Sequence, residues 1–333
     1  MPVLVRIMWL ALGGLCAIVL SLAAVYLYLD PQIPRAETYR QVKLETPLRI
    51  FTADRKLMAE FGERRLIPVT LDQVPPLFVR AVLDTEDKRF YEHGGVDLVT
   101  LTNATLELVL NMGEITRGGS TITMQLPRNL GTFSLDRVFI RKFKEILLAL
   151  KIERALTKDE ILELYINAVP FGKRAYGAHA AAMTYYGRPL DQLNLAQLAM
   201  LAGIPQAPTA GNPINNPERA LRRRNQVLGR MLEQGSITRG EYDEAVNAPN
   251  TAQLYERELD VARGIQASLI PAGNPNIPGC SVASYWQAAR QVSGDFYDFI
   301  QLYDGSWGII VADVADKGIP AALFMALSRT ILR

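Results

Sequence analysis

Thr85–Gly95 reads TEDKRFYEHGG and stands one residue beyond the apolar run LFVRAVL. Acids, bases, two aromatics, a histidine and a glycine pair share these eleven positions. An apolar run that gives way to Glu86 and Asp87 has two readings. One is a solvated helix end; the other is a carboxylate kept half dry to move a proton. The rest of the chain has to decide between them.

The chain has 333 residues, enough for two or three domains and a sizeable core. A net charge of +2 argues against a nucleic-acid partner. Cys16 sits in an apolar run far from Cys280, so no disulfide framework is expected. His93 and His179 are the only histidines, which nearly excludes a histidine-built zinc centre. At the N-terminus, Ile7–Leu29 (IMWLALGGLCAIVLSLAAVYLYL) carries no charge. As a helix rising about 1.5 Å per residue it spans a hydrocarbon core of about 30 Å. Tyr26 and Tyr28 stand where an interfacial aromatic belt would. Ser21-Leu22-Ala23 offers small residues for signal cleavage, but the run is too long for a signal-peptide core, so an uncleaved anchor is expected. Arg6 precedes the span and Arg35, Arg40 and Lys43 come after it, so the positive-inside rule gives no orientation.

Composition divides the remainder. We assign 1–30 to a transmembrane signal anchor, 31–70 to a small extended juxtamembrane pedestal and 71–247 to a mainly helical domain. Residues 248–272 form a linker helix and 273–333 a partial α/β segment of strands and helices. In the linker, Val261, Ile265 and Leu269 repeat at helical spacing. PAGNPNIPG then breaks structure, and SVASYW, FYDFIQLY and WGIIVADV are predicted strands. Asp304-Gly305 predicts a hairpin between the last two. GIPAALFMALSRTILR predicts a closing helix.

Arg137–Arg154 (RVFIRKFKEILLALKIER) is the clearest helix of the central region. Phe139, Phe143, Ile146, Leu147 and Leu150 form an apolar stripe, with Arg137, Arg141, Lys144 and Glu145 on the other face. On spacing alone this is a surface helix in which Arg141 and Lys142 pair with Glu145. Upstream, TRGGSTITMQLPRN (Thr116–Asn129) lets the backbone approach a ligand and offers the Ser120 and Thr121 hydroxyls to an anion. On its own it is equally a glycine turn before a short helix. From Gly113 to Arg154 eight Arg/Lys face four Asp/Glu, an excess that suits a phosphate group or a membrane surface.

These segments carry a resemblance. TEDKRFYEHGGVD, GGSTITMQLPRN, RKFKEILLALKIE, KDEILELYINAVPFG and LAMLAGIPQAPTAGNP occur in that order. Together they resemble the peptidoglycan glycosyltransferases, glycosyltransferase family 51, of class A penicillin-binding proteins and monofunctional transglycosylases. The resemblance covers about Leu71–Val246. It implies a lysozyme-like, mostly helical domain beside the membrane, on the outer (periplasmic) face of the bacterial inner membrane. It also implies lipid II and the nascent glycan strand as partners, and contact with the cell-wall synthesis machinery. The implied reaction is polymerisation with inversion: an α-linked undecaprenyl pyrophosphate leaves and a β-1,4 bond forms.

By the same match Glu86 is the general base for the acceptor hydroxyl. Glu145 is the second family glutamate, which orients basic residues or assists at the pyrophosphate and its Mg²⁺ or Mn²⁺. Arg89, Arg128, Arg137, Arg141 and Lys142 match positions around the donor, where fixed cations stabilise developing negative charge. Gln125 matches one of two family glutamines, with Met124 in place of the other. Arg128 replaces the usual lysine, and Pro127 is expected to end its helix early.

A second resemblance covers about Glu256–Arg333. ARGIQASLIP, SGDFYDF and DVADKGIPAAL resemble the metal-dependent serine/threonine phosphatases of bacterial stress-response and sporulation signalling. In that family Asp295 and Asp313 correspond to metal ligands, and the linker helix to a regulatory, often dimer-forming element. The family's later aspartates have no counterpart in the sequence, so an incomplete site and a truncated fusion are expected. The leading expectation is a lipid II polymerase. The alternative is a membrane-anchored signalling protein whose phosphatase domain is regulated by a lipid II-sensing transglycosylase-like domain.

Overall fold

The structure, a computed structural model, describes residues 3–35, 37–40, 48–51, 57–61, 65–102, 119–132, 138–286, 288, 292–314 and 319–332. Helix α1 (Val3–Leu29) carries the N-terminal apolar run, and Met8–Gln32, with mean hydropathy 2.4, is long and apolar enough to cross a membrane. Its far end is pinned to the helical domain. Leu29 and Ile33 are buried in the main core, and Lys151 meets Asp30 at 2.7 Å. Helix α2 (Glu37–Arg40) buries Tyr39, whose hydroxyl meets that of Thr132 at 2.8 Å, while Arg40 donates to the Ala155 carbonyl.

The region expected as an extended pedestal contains the antiparallel hairpin of β1 (Leu48–Phe51) and β2 (Leu57–Phe61), with Leu48 opposite Phe61. Its last residues join the next unit. Strand β3 (Arg65–Leu66) runs parallel to β5 (Ala175–Tyr176), which pairs antiparallel with β4 (Pro170–Gly172).

From Pro76 helices dominate, as the patterning predicts: α3 (Pro76–Glu86), α4 (Ile122–Asn129), α5 (Val138–Ala155), α6 (Lys158–Ala168), α7 (Ala178–Tyr186), α8 (Leu195–Gly203), α9 (Pro217–Glu233) and α10 (Arg239–Asn247). Local sequence sets several of their starts. Thr157, Asn194 and Thr238 open α6, α8 and α10 as capping boxes with Glu160, Gln197 and Glu241. Each such cap contributes about 1 kcal/mol. From Ala196 to Gly203 every residue of α8 except Gln197 is buried, which makes it the central core helix, packed against both α3 and α9. Buried Arg224 of α9 donates to the carbonyls of Val246 and Ala248 and so closes the C-terminal end of α10.

Helix α5 reverses the expected orientation. Its apolar stripe is partly exposed, with Phe143 at 47% and Leu150 at 38%, while Lys144 and Glu145 are buried beside Leu148, Ala149 and Ile152. Helix α5 packs on α4, and Lys142 of α5 reaches Ser120 at the approach to α4.

Helix α11 (Thr251–Leu269) occupies the linker region and docks by its first turns on the helical domain. Gln197 meets Thr251 at 3.0 Å and Lys173 meets Glu256 at 3.2 Å. Further on, Gln266 makes two hydrogen bonds to the backbone of Ser293. Strands β6 (Phe296–Gln301) and β7 (Trp307–Ala312) form the predicted hairpin, turning through Gly305 at φ +83°. The expected strand at SVASYW does not form. Its side chains cross to the hairpin instead: Trp286 donates to the Asp295 carbonyl at 2.9 Å and Ser284 meets Tyr297 at 3.0 Å. Helix α12 (Ile319–Leu332) closes the segment, tied to it by Arg329 on buried Asp298 at 3.1 Å.

Candidate active site

Glu86 is the last residue of α3, where the helical backbone stops constraining the chain. Its side chain is 17% exposed, above a pocket whose other walls include Phe78 and Val82 of α3, Tyr165 and Ile166 of α6, Phe171 and Ala202. Each carboxylate oxygen has its own partner. Gln125 Nε2 donates to Oε2 at 3.1 Å, and Arg223 Nη2 stands 3.6 Å from Oε1. The hydroxyl of Tyr165 donates to Gln125 Oε1 at 3.5 Å, and burial holds that phenol well above its ordinary range. The Glu86 carboxylate is therefore half dry and not a fully solvated helix end. Tyr91, five positions on, is 53% exposed and donates to Asp159 at 3.0 Å.

The next residue, Asp87, is buried and joins the loop to α4. Its Oδ2 accepts from the Ile122 amide at 3.0 Å, and both oxygens lie within 3.0 Å of His93 Nε2. His93 Nδ1 accepts from the Gly95 amide at 3.1 Å, so Nε2 bears the proton given to Asp87. Thr121 donates to the Gly95 carbonyl at 2.6 Å and accepts from the Met124 amide at 3.2 Å. The loop after Glu86 is thus stitched to the first turn of α4. The same stitching removes Thr121 from the set of anion donors: it is 3% exposed and its hydroxyl is engaged as an N-cap.

At that end of α4 lies the cationic shelf. Lys142 Nζ donates to Ser120 Oγ at 2.5 Å and meets Glu145 Oε2 at 3.4 Å, while Arg141 Nε stands 3.5 Å from Glu145 Oε1. Burial pushes the Lys142 ammonium down; Glu145 pulls it back up, and the charges of Arg128 and Arg141 add to the depression. Arg128 is exposed on α4, one turn after Met124. Gln125 and Ser120, on one short helix and its approach, link the two glutamates.

The structure thus brings together Glu86, Gln125, Arg128, Ser120, Arg141, Lys142 and Glu145. Arg89 is placed elsewhere: it lies beyond the end of α3, on Glu92 at 2.7 Å and Asp97 at 3.3 Å. Arg137 lies outside the described residues. Met124, which stands where the family has a glutamine, is fully buried in the core. Nor does Pro127 end its helix; α4 continues to Asn129. Sequence reasoning misses Tyr165 and Arg223. Only the arginine run Arg222–Arg224 on an amphipathic helix could have drawn attention to the second.

Asp295 and Asp313 are exposed and leave the hairpin at the same end, one step beyond the Phe296–Ala312 pair. Among the described residues no three acidic, histidine or cysteine side chains gather as a metal site.

Residues 54–232 match the family profile described as Transglycosylase. The chain is 47% identical over 247 residues to penicillin-binding protein 1A of Pseudomonas aeruginosa, covering 74% of this chain and 30% of that protein. It is 48% identical over 242 residues to the protein of the same name in Escherichia coli, covering 71% and 28%. It therefore spans about 30% of the length of these curated relatives. The crystal structure of penicillin-binding protein 1A from Haemophilus influenzae aligns with 33% identity over 62% of this chain and 21% of that one, at a TM-score of 0.37.

Proposed function

The chain belongs to the transglycosylase family, and on that premise we propose that it polymerises lipid II into β-1,4-linked glycan strands for the bacterial cell wall. The acceptor 4-hydroxyl attacks C1 of the donor sugar and its proton passes to Glu86. The bond from C1 to the diphosphate breaks, and undecaprenyl pyrophosphate leaves. A base so placed contributes about 10²–10⁴ in rate. Lys142, Arg141 and Arg128, with Ser120, face the growing negative charge, and Glu145 holds the first two in place. The observation that carries this reading is the Glu86 carboxylate, half dry and joined through Gln125 on α4 to the shelf of Lys142 and Glu145.

Glu145 Oε1, 3.5 Å from Arg141 Nε, is buried and accepts no hydrogen bond among the described residues, and it would be the oxygen to help hold the Mg²⁺ or Mn²⁺ that the resemblance implies. Such an ion, when bound, would neutralise diphosphate charge. Exposed Leu98, Val99, Ile140, Phe143 and Leu150 support a domain lying against lipid beside its α1 anchor; its place on the outer face of the inner membrane rests on the resemblance and on where lipid II is polymerised. Val261 and Ile265, each at least 60% exposed on α11, support a homodimer through the linker helix. For residues 273–333 the phosphatase-like reading rests on the resemblance and on Asp295 and Asp313 sharing one end of a hairpin.

Purified chain in detergent, given labelled lipid II and Mg²⁺, is expected to yield glycan polymer with release of the lipid pyrophosphate. Lipid II binding without polymer would favour the sensing alternative instead.

A further inference from the structure

Building on the reading of Glu86 as the base, we infer that Arg223 is a positioning residue for its carboxylate, holding Oε1 while Gln125 holds Oε2. Glu86 ends α3, so its side chain needs an outside hold, and α9 supplies one at two points. Arg223 stands 3.6 Å from Glu86 Oε1, and Arg230, two turns further on the same face, donates to the Thr85 carbonyl. The two arginines thus grip the side chain and the backbone of one helix end.

Arg223 is an expensive residue for mere packing. Its side chain is 13% exposed, and its Nε is buried without a hydrogen-bond partner among the described residues. Burial pushes its guanidinium down, and the Glu86 charge pulls it back up. A buried cation left partly unsatisfied destabilises a fold unless its charge is used. The neighbouring Arg224 shows the contrast, since its guanidinium is satisfied by two backbone carbonyls that close α10. Space has also been cleared for Arg223. A Cβ on Gly203, the last residue of α8, would stand 2.9 Å from Arg223 Cγ. Core helix α8 therefore ends on a residue without a side chain where the arginine stem passes. Arg223 acts through Glu86, so its effect belongs in turnover rather than in substrate affinity.

The test uses the full chain in detergent with lipid II, comparing Arg223→Gln, Arg223→Lys and Gly203→Ala. Misplacing a catalytic group by about 1 Å costs about 10²-fold, so Arg223→Gln is expected to lower kcat by about that factor. The KM stays within about twofold, because no substrate contact is removed. Arg223→Lys restores part of the loss, keeping the charge without the planar fork. Wild-type kcat in a folded Arg223→Gln overturns the proposal, and so does a raised KM at unchanged kcat. If Arg223→Gln does not fold, Gly203→Ala decides: it keeps every charge and shifts only the stem, so an unchanged kcat overturns the proposal. Wild-type protein that forms no polymer defeats the reading of the reaction alone. Positioning is then judged from crystal structures of the variants, in which the Glu86–Gln125 hydrogen bond should be lost; its survival overturns the proposal.

Discussion

Gln125 donates its side-chain amide to Glu86 at 3.1 Å while its carbonyl accepts from the buried hydroxyl of Tyr165 at 3.5 Å. The carboxylate accepts, so the amide nitrogen turns toward Glu86 and the amide oxygen is left to accept from the phenol. One glutamine on a short helix thereby aims the base, and the approach to that helix carries Ser120 to Lys142.

Replacing Gln125 by leucine removes this donor and leaves Glu86 Oε2 half-buried. A hydrogen bond to a charged group contributes about 1.5–3 kcal/mol, so Gln125→Leu is expected to lower kcat roughly ten- to a hundredfold. Steady-state kinetics on lipid II, with thermal melting as a control, check it; an unchanged kcat would show that the aim of Glu86 is set elsewhere.

Met124→Gln restores the family residue and should not restore a contact. Met124 is fully buried against the core, so a glutamine there buries an amide in apolar surroundings. The expected result is a loss of about 1–3 kcal/mol in unfolding free energy with no gain in rate. A faster enzyme of equal stability would mean that position 124 faces the substrate.

Lys142 gives a pH dependence. Burial is the main reason its ammonium loses its proton below the ordinary lysine range, with the Arg128 and Arg141 charges adding to it. Only the charged form stabilises a leaving diphosphate. The alkaline fall of kcat/KM, which reports the free enzyme, should therefore begin at lower pH than a free lysine would give. Lys142→Arg keeps its charge throughout and should extend the plateau upward. An identical alkaline limb in both proteins would remove Lys142 from the diphosphate site.

Much of this is legible in the residues. The apolar run of α1, the hairpin at Asp304-Gly305 and the succession of helices from Pro76 come from hydropathy, turn chemistry and period. The ordered motifs already group Glu86, Gln125, Lys142 and Glu145. Facing direction is the weak point. On α5 Lys144 and Glu145 turn inward while Phe143 and Leu150 of the apolar stripe are exposed, and no single-helix pattern encodes what lies beside it. Arg89 and Thr121 carry the right chemistry for a donor site, yet Asp97 and the Gly95 carbonyl engage them locally. Arg223 reaches Glu86 from 137 positions away in sequence, a separation that spacing rules do not span.

The most direct check on the central claim is single-turnover polymerisation of labelled lipid II by wild type and Glu86→Gln, matched for melting temperature. The account predicts that the wild type builds glycan chains while the glutamine variant binds lipid II and forms none. Chain growth by Glu86→Gln at the wild-type rate would contradict it.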